Sequence, residues 1–306
     1  MASRAMFALS IYQLLSNNRS SLFTVYFVLY AVQGAHATIA EGLTAFSIAY
    51  VAASLASPLA GRVSDRLGNR RTLLLLAEGL CLPFFVLIPF LHNFFAVTSF
   101  FLIGETILTF GQTSLQAFVA DITPIAQRGR GYGFVNAVGS AGAGAGILAA
   151  GVISQLFGLD AIFYMVGFLM VGTLLLVIFA VPNQQLPKSE ARKPLKEMRG
   201  VAMFSVATSI RTLGTGAVTA FFGTYASLLG ASNFEVSLVG VAGLWSTALL
   251  GTHLGRSVDR FGEIRSYLSG SVVVTLSLFV YMFAAGWVDL IPARIIYATG
   301  FALLSP

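Results

Sequence analysis

The stretch SPLAGRVSDRLGNRR, Ser57 to Arg71, returns later in the chain as GTHLGRSVDRFGEIR, Gly251 to Arg265. Both carry G-R-x-x-D-R-x-G followed by a further Arg, and Gly61 and Gly255 stand 194 residues apart. The flanks repeat with them. Glu41 has Glu235 at the same offset, and Arg19 has a counterpart in Arg211, 192 residues on. The chain thus carries an internal repeat of long period.

Each copy follows an apolar run, and the composition says what such runs are for. The chain is 57% hydrophobic, with 26 Phe and only 10% charged side chains, against about a quarter charged in a soluble domain. Its apolar runs reach roughly twenty residues, the length that crosses a hydrocarbon core about 30 Å thick. We expect ten spans, near 5–32, 41–60, 72–90, 94–119, 130–156, 159–181, 200–229, 235–254, 266–285 and 288–305. They lack strand alternation, and lipid offers backbone groups no hydrogen bonds, so the fold class is all-α and polytopic. MASRAMFALS has no small-residue cleavage site after its apolar run, so the first span should insert as a permanent helix.

A net charge of +6 raises nucleic acid as a partner, but the basic residues are placed for a bilayer. Arg62, Arg66, Arg70 and Arg71; Arg128 and Arg130; Lys188, Arg192, Lys193, Lys196 and Arg199; and Arg256, Arg260 and Arg265 fall between alternate pairs of apolar runs. The other connections hold Glu41, His92, Asp160, Glu235 and Asp289, without Lys or Arg. That segregation follows the positive-inside rule, which puts the basic connections and the N-terminus in the cytoplasm of a cell (inner) membrane protein. No nucleic acid is expected. Residues 182–199, with Pro182, Pro187 and KSEARKPLKEMRG, form a polar linker between 1–181 and 200–306. The lone Cys81 excludes an internal disulfide. We expect no metal or cofactor, and no catalytic residues, because no metal-ligand spacing or nucleophile–base pair stands out.

SIYQLLSNNRSSLFTVYFVLY, Ser10 to Tyr30, leaves two topologies open. In one, 5–32 is a single membrane helix with Arg19 near its centre. In the other, an amphipathic helix over 1–19 lies on the surface and a span follows over 21–40. The match of Arg19 to Arg211 favours the first.

The two G-R-x-x-D-R-x-G motifs, with FVADITPIAQRGRGYGF at Phe118 to Phe134, resemble the conserved loops of the major facilitator superfamily. The resemblance covers the whole chain. It implies two pseudo-symmetric six-helix bundles, alternating access to one central cavity, and helices one, four, seven and ten lining that cavity. The second bundle would be incomplete, since ten spans stand where the family has twelve, and we expect the sequence to be a truncated one or a fragment. In the fifth span, Gly133, Gly142 and Gly146 fit the glycine spacing of the family's antiporters, whereas Ile147 and Ala150 stand where a proline and a glycine are usual. Proton antiport is therefore only weakly implied.

Against that background the intramembrane ionisable residues are informative, because a charge at a helix centre costs about 3 kcal/mol and usually faces a polar interior. Arg19, Glu105, Arg211 and Arg294 fall on spans one, four, seven and ten. A guanidinium stays charged and offers a planar fork to carboxylate or phosphate. We expect an anionic or strongly hydrogen-bonding small solute at Arg19, Arg211 and Arg294, with Asn18, Gln112 and Gln116 adding hydrogen bonds and Glu105 carrying a proton. The superfamily's organophosphate antiporters likewise place one arginine in each bundle. The bland alternative is an Arg19–Glu105 pair that merely fixes two helices. Glu78, on the third span, is expected to be structural and to reach for the cytoplasmic face.

The motif residues Gly61, Asp65, Arg66, Gly68, Arg70 and Arg71, mirrored by Gly255, Asp259, Arg260 and Gly262, form the expected gating loops. Gly61 and Gly68 would permit tight turns and close helix approach, and Asp65 would pair with Arg66, Arg70 or Arg71 or meet a helix N-terminus. A charge latch and a set of solvated ion pairs both fit this pattern. GSAGAGAGILAAG, Gly139 to Gly151, fits either static close packing or a bending gate. We take the protein to work as a monomer in the bilayer. Rival functions are proton-driven efflux of lipophilic drugs, a non-transporting sensor, and an inert fragment.

Overall fold

The computed structural model describes residues 2–124, 128–183, 221–261 and 263–304, and among them there is no strand. The helices are α1 (Ala2–Gln33), α2 (Ile39–Leu67), α3 (Arg70–Val86), α4 (Phe94–Ile122), α5 (Arg128–Phe157) and α6 (Asp160–Phe179), then α7 (221–228), α8 (Asn233–Phe261), α9 (Glu263–Met282) and α10 (Leu290–Leu304). Single 3-10 turns follow α3 at Ile88–Phe90 and precede α10 at Trp287–Asp289. The all-α expectation holds, with most ends within a few residues of those read from hydropathy.

α1 decides the question of Ser10 to Tyr30. It runs unbroken through Ser16, Asn17, Asn18, Arg19, Ser20 and Ser21, so the surface-helix alternative fails. That stretch holds no Gly or Pro, and several of its polar side chains bond within the helix. Arg19 Nη2 donates to Ser16 Oγ three residues back at 3.1 Å. The Ser10 and Thr24 hydroxyls donate to the Met6 and Ser20 carbonyls at 2.9 and 2.6 Å.

Among the described residues six helices are long and apolar enough to cross a membrane: α2, α3 with its following turn, α4, α5, α6 and α8. α1 has the length at 32 residues, but its polar centre lowers its hydropathy. α9 is diluted by Ser and Thr, and α10 measures 15 residues.

The repeat extends to the helix starts. Thr38 caps α2, accepting from the Glu41 N–H at 3.2 Å while its own N–H donates to Glu41 Oε2 at 2.8 Å. Ser232 and Glu235 do the same for α8, at 3.4 and 2.7 Å. Both are capping boxes, each satisfying two otherwise orphaned donors. The matched glutamates are thus helix starters.

The motif itself is less of a loop than its sequence implies. Arg62, Asp65 and Arg66 lie on the last turns of α2, and Gly255, Asp259 and Arg260 on those of α8. Only Gly68 and Asn69 separate α2 from α3. Gly68 adopts φ 62, and its N–H donates to the Ser64 carbonyl at 3.3 Å, so its left-handed turn ends the helix. Asn69 Oδ1 then accepts from the Thr72 N–H at 3.3 Å and starts the next. Gly61 departs from expectation. A Cβ added there would meet nothing within 4 Å, so it serves no close approach.

Two compact units emerge. One comprises residues 1–26, 119–169 and 222–306; within it α8 packs against α5 and α10, and α10 against α9. The other comprises residues 27–118 and 170–221. Its core is aromatic: Phe27 stacks on Phe101 at 3.8 Å, Phe85 meets Phe101 edge-on at 6.4 Å, and Phe46 closes on both. Such pairs contribute about 0.5–1.5 kcal/mol each beyond their burial. Gly104 makes room for them, since a Cβ there would lie 2.7 Å from the Phe85 ring.

Candidate functional site

Three arrangements bear on function: the α2–α3 turn, the surroundings of Arg19, and those of Arg294.

At the turn, Arg70 Nη1 donates to Asp65 Oδ1 at 2.8 Å and to Ser64 Oγ at 2.6 Å. The Ser114 hydroxyl of α4 donates to the Arg70 carbonyl at 2.9 Å, tying α2, α3 and α4 at one point. Asp65 is 63% exposed and Arg70 11%, so the ion pair itself is worth under about 1 kcal/mol. Of the partners expected for Asp65, Arg70 is the one found. Arg71 turns elsewhere. Its Nε and Nη2 donate to the Val177 and Ile178 carbonyls at the end of α6, capping that helix with a cation where its dipole favours one. Arg66 is exposed. The mirrored residues lie on α8 as helix, except Gly262, which falls outside the described residues.

Arg19 is 1% exposed despite its full charge. Around it α1 meets α5 through glycine. A Cβ on Gly142 would strike the Leu14 carbonyl oxygen, and one on Gly146 the carbonyl oxygen of Asn18. Gly139 faces the Asn17 amide and the Gln13 side chain. The glycine-rich run therefore brings two backbones into contact, as small residues do in lipid. Its other faces meet α8: Gly144 lies against the Trp245 indole and Gly151 against Ser237. At the same end the Tyr26 hydroxyl donates to the Asn233 carbonyl at 2.6 Å.

Arg294 is 6% exposed. It lies on the second turn of α10. Its guanidinium carbon stands 4.1 Å over the Phe222 ring and 5.3 Å from that of Tyr297. Its stem fills the space a Cβ of Gly243 would need, with Cγ 2.8 Å and Nε 3.1 Å from that position. Ring contacts return about 2 kcal/mol when desolvated, less than the several kcal/mol that burying an ion costs. Nothing in the sequence marked Phe222, Tyr297 or Gly243 as the surroundings of this arginine.

Glu105, Gln112 and Gln116 are half-buried on α4 in the other compact unit, and each has an interaction partner. Arg211 lies outside the described residues. Glu78 corrects one expectation. It is 1% exposed, and the Thr173 hydroxyl of α6 donates to its Oε2 at 3.0 Å, so it is held inside the bundle and does not reach for the cytoplasmic face. Its structural role stands. Among the described residues no cluster of His, Cys, Asp and Glu could hold a metal ion.

A family model of the Major Facilitator Superfamily matches residues 9–306. The chain belongs to the Major Facilitator Superfamily. It is 26% identical over 255 residues to the multidrug resistance protein MdtG of Proteus mirabilis (strain HI4320), covering 78% of this chain and 60% of that protein. MdtG of Salmonella choleraesuis (strain SC-B67) matches at 26% over 251 residues, with 76% and 60% covered. This member of the superfamily thus spans about 60% of the length of those curated relatives.

Solved structures share the fold. The peptide transporter POT in complex with alafosfalin superposes with a TM-score of 0.73 at 12% identity, covering 98% of this chain and 80% of that one. The xylose transporter XylE from E. coli, in a partially occluded inward open conformation, gives 0.70 at 17%, covering 99% and 84%. This member of the superfamily is a multi-pass membrane protein with the helical fold of those structures.

Proposed function

We propose that the chain works as a secondary active transporter, moving a small anionic solute by alternating access. The burial of Arg19 at the centre of α1 carries this reading: a permanent cation sits inside the membrane on a helix that lines the cavity in this superfamily. In this reading Arg211 is the matching cation of the second half, Asn18, Gln112 and Gln116 add hydrogen bonds to the solute, and Glu105 carries the proton. The working parts are then 1–181, a linker at 182–199, and 200–306. The protein lies in the cell (inner) membrane as a monomer, with its N-terminus in the cytoplasm. The Asp65–Arg70 turn and its α8 mirror serve as the cytoplasmic latch.

A second reading is proton-driven drug efflux, favoured by the 26% identity to proteins named for multidrug resistance. The two separate in proteoliposomes with an imposed pH gradient, assayed with an organic-anion panel and with cationic dyes. Arg19→Gln and Arg211→Gln should each abolish anion flux while insertion stays normal. Dye flux that survives both substitutions, with no anion flux in the parent, would favour efflux.

A further inference from the structure

We infer that Arg294 and Tyr281 form a seat for the acid group of an organic monoanion, a carboxylate on an apolar body. This rests on the transport reading above and narrows its substrate class.

The Tyr281 hydroxyl, at the end of α9, lies beside the Arg294 guanidinium of α10. Arg294 Nε and Nη1 are buried without a hydrogen-bond partner among the described residues, and the buried Tyr281 hydroxyl has no partner there but Arg294 itself. Buried polar groups are nearly always paired, so a cluster of two such side chains marks a place for something else.

The acidic residues of α8, α9 and α10 are engaged elsewhere or lie far along their helices, Asp259 of α8 being 16 residues from Gly243, or about 24 Å. Residues 201–220 contain no Asp or Glu. Asp289, five residues before Arg294, accepts from the Ala285 and Gly286 N–H groups at 3.0 Å. Glu235 is taken by its capping box. Glu263 opens α9, 18 residues before Tyr281, or about 27 Å at 1.5 Å per residue.

The donors also choose the ligand. One guanidinium N–H and the hydroxyl suit the two oxygens of a carboxylate, and one positive charge neutralises one negative charge. A phosphate dianion would bring more charge and more acceptors than these groups satisfy. The remaining walls, Phe222, Tyr297 and Phe301 stacked on Tyr297, are aromatic and suit an apolar body.

The test is equilibrium binding of radiolabelled 2-naphthoate to the protein in nanodiscs, competed by 2-naphthamide and by inorganic phosphate. The carboxylate should bind at least tenfold tighter than the neutral amide, with phosphate competing poorly. Arg294→Gln should erase that preference, Arg294→Lys should restore part of it, and Tyr281→Phe should cost a few-fold. If Arg294→Gln fails to insert, the Lys and Phe variants carry the test. A preference unchanged in the folded Arg294 and Tyr281 variants overturns the seat. Should Arg19→Gln abolish the preference while the Arg294 variants keep it, the seat fails and the transport reading stands. Should none of them alter it, both fail.

Discussion

Gly146 of α5 lies so close to α1 that an added Cβ would collide with the carbonyl oxygen of Asn18, the residue before the buried Arg19. One turn earlier Gly142 stands in the same relation to the Leu14 carbonyl. The position of Arg19 is therefore set by two backbones in contact, and a backbone can yield only by moving a helix.

Gly142→Ala and Gly146→Ala should each destabilise the protein by about 1–3 kcal/mol through overpacking. Anion flux should fall with them, because α1 must shift. Gly133→Ala is the control, since nothing lies within 4 Å of its Cβ position. Thermal unfolding in detergent should show two lowered transitions and one unchanged.

Gly144 is also crowded, but its neighbour is the Trp245 side chain, which is 47% exposed and has room to turn. Gly144→Ala should therefore cost less than Gly146→Ala, under about 1 kcal/mol by relief through a rotamer change. It should move the tryptophan emission maximum, to which only Trp245 and Trp287 contribute. An unmoved spectrum with a large stability loss would show that the indole cannot yield.

The sequence repeat foretold more of this protein than composition alone did. Glu41 and Glu235 kept their offset because each closes a capping box, a role that depends on local spacing and is therefore readable. Gly68 was legible for the same reason, as the turn between two apolar runs. Gly61 belongs to the same motif yet meets nothing, because a motif does not say what lies across from each of its members. Arg294 was legible as a buried charge, but Phe222, Tyr281 and Gly243 were not, since they come from three other helices and ordinary apolar or aromatic positions. Glu78 was placed near the surface because the sequence cannot show that Thr173 of α6 lies opposite.

The α2–α3 turn separates charge from structure. Asp65→Asn removes the ion pair of a well-exposed carboxylate and should change stability by less than about 1 kcal/mol. Arg70→Ala also strips the donor from Ser64 and should cost about 1–3 kcal/mol. Equal losses in a paired thermal-unfolding measurement would mean that the ion pair dominates. If Asp65→Asn halts transport while leaving the fold intact, the latch reading gains its support.

Glu78 and Thr173 tie α3 to α6 inside the bundle. The Thr173 hydroxyl has one proton and two acceptors in reach, Glu78 Oε2 at 3.0 Å and the Met170 carbonyl at 2.9 Å. Glu78→Gln keeps an acceptor and adds a donor, so either arrangement can be satisfied, and its stability should stay within about 0.5 kcal/mol of the parent. Glu78→Ala loses both bond and volume and should cost about 2–3 kcal/mol. Retention of flux in the Gln variant would confirm that the carboxyl here holds helices rather than carries protons.

Tyr26 offers the cleanest single-atom test, because its hydroxyl reaches the Asn233 carbonyl at 2.6 Å across 207 residues of sequence. That carbonyl opens α8, and the same α1 segment presses on α7, where a Cβ on Gly223 would lie 3.0 Å from the Val25 carbonyl oxygen. Tyr26→Phe keeps the ring, which is 1% exposed, and deletes the hydroxyl, which also lies beside the Ser154 and Ser237 side chains. The loss should be about 1–2 kcal/mol, read as a lower unfolding temperature. Under the proposed topology this contact lies near the extracytoplasmic ends of α1 and α8, so losing it should also weaken closure on that side. A cysteine placed at half-buried Ser227 reports the second effect: it should react faster with a membrane-impermeant maleimide in Tyr26→Phe than in the parent. Equal labelling rates beside a lowered unfolding temperature would confine the bond to stability and remove it from gating.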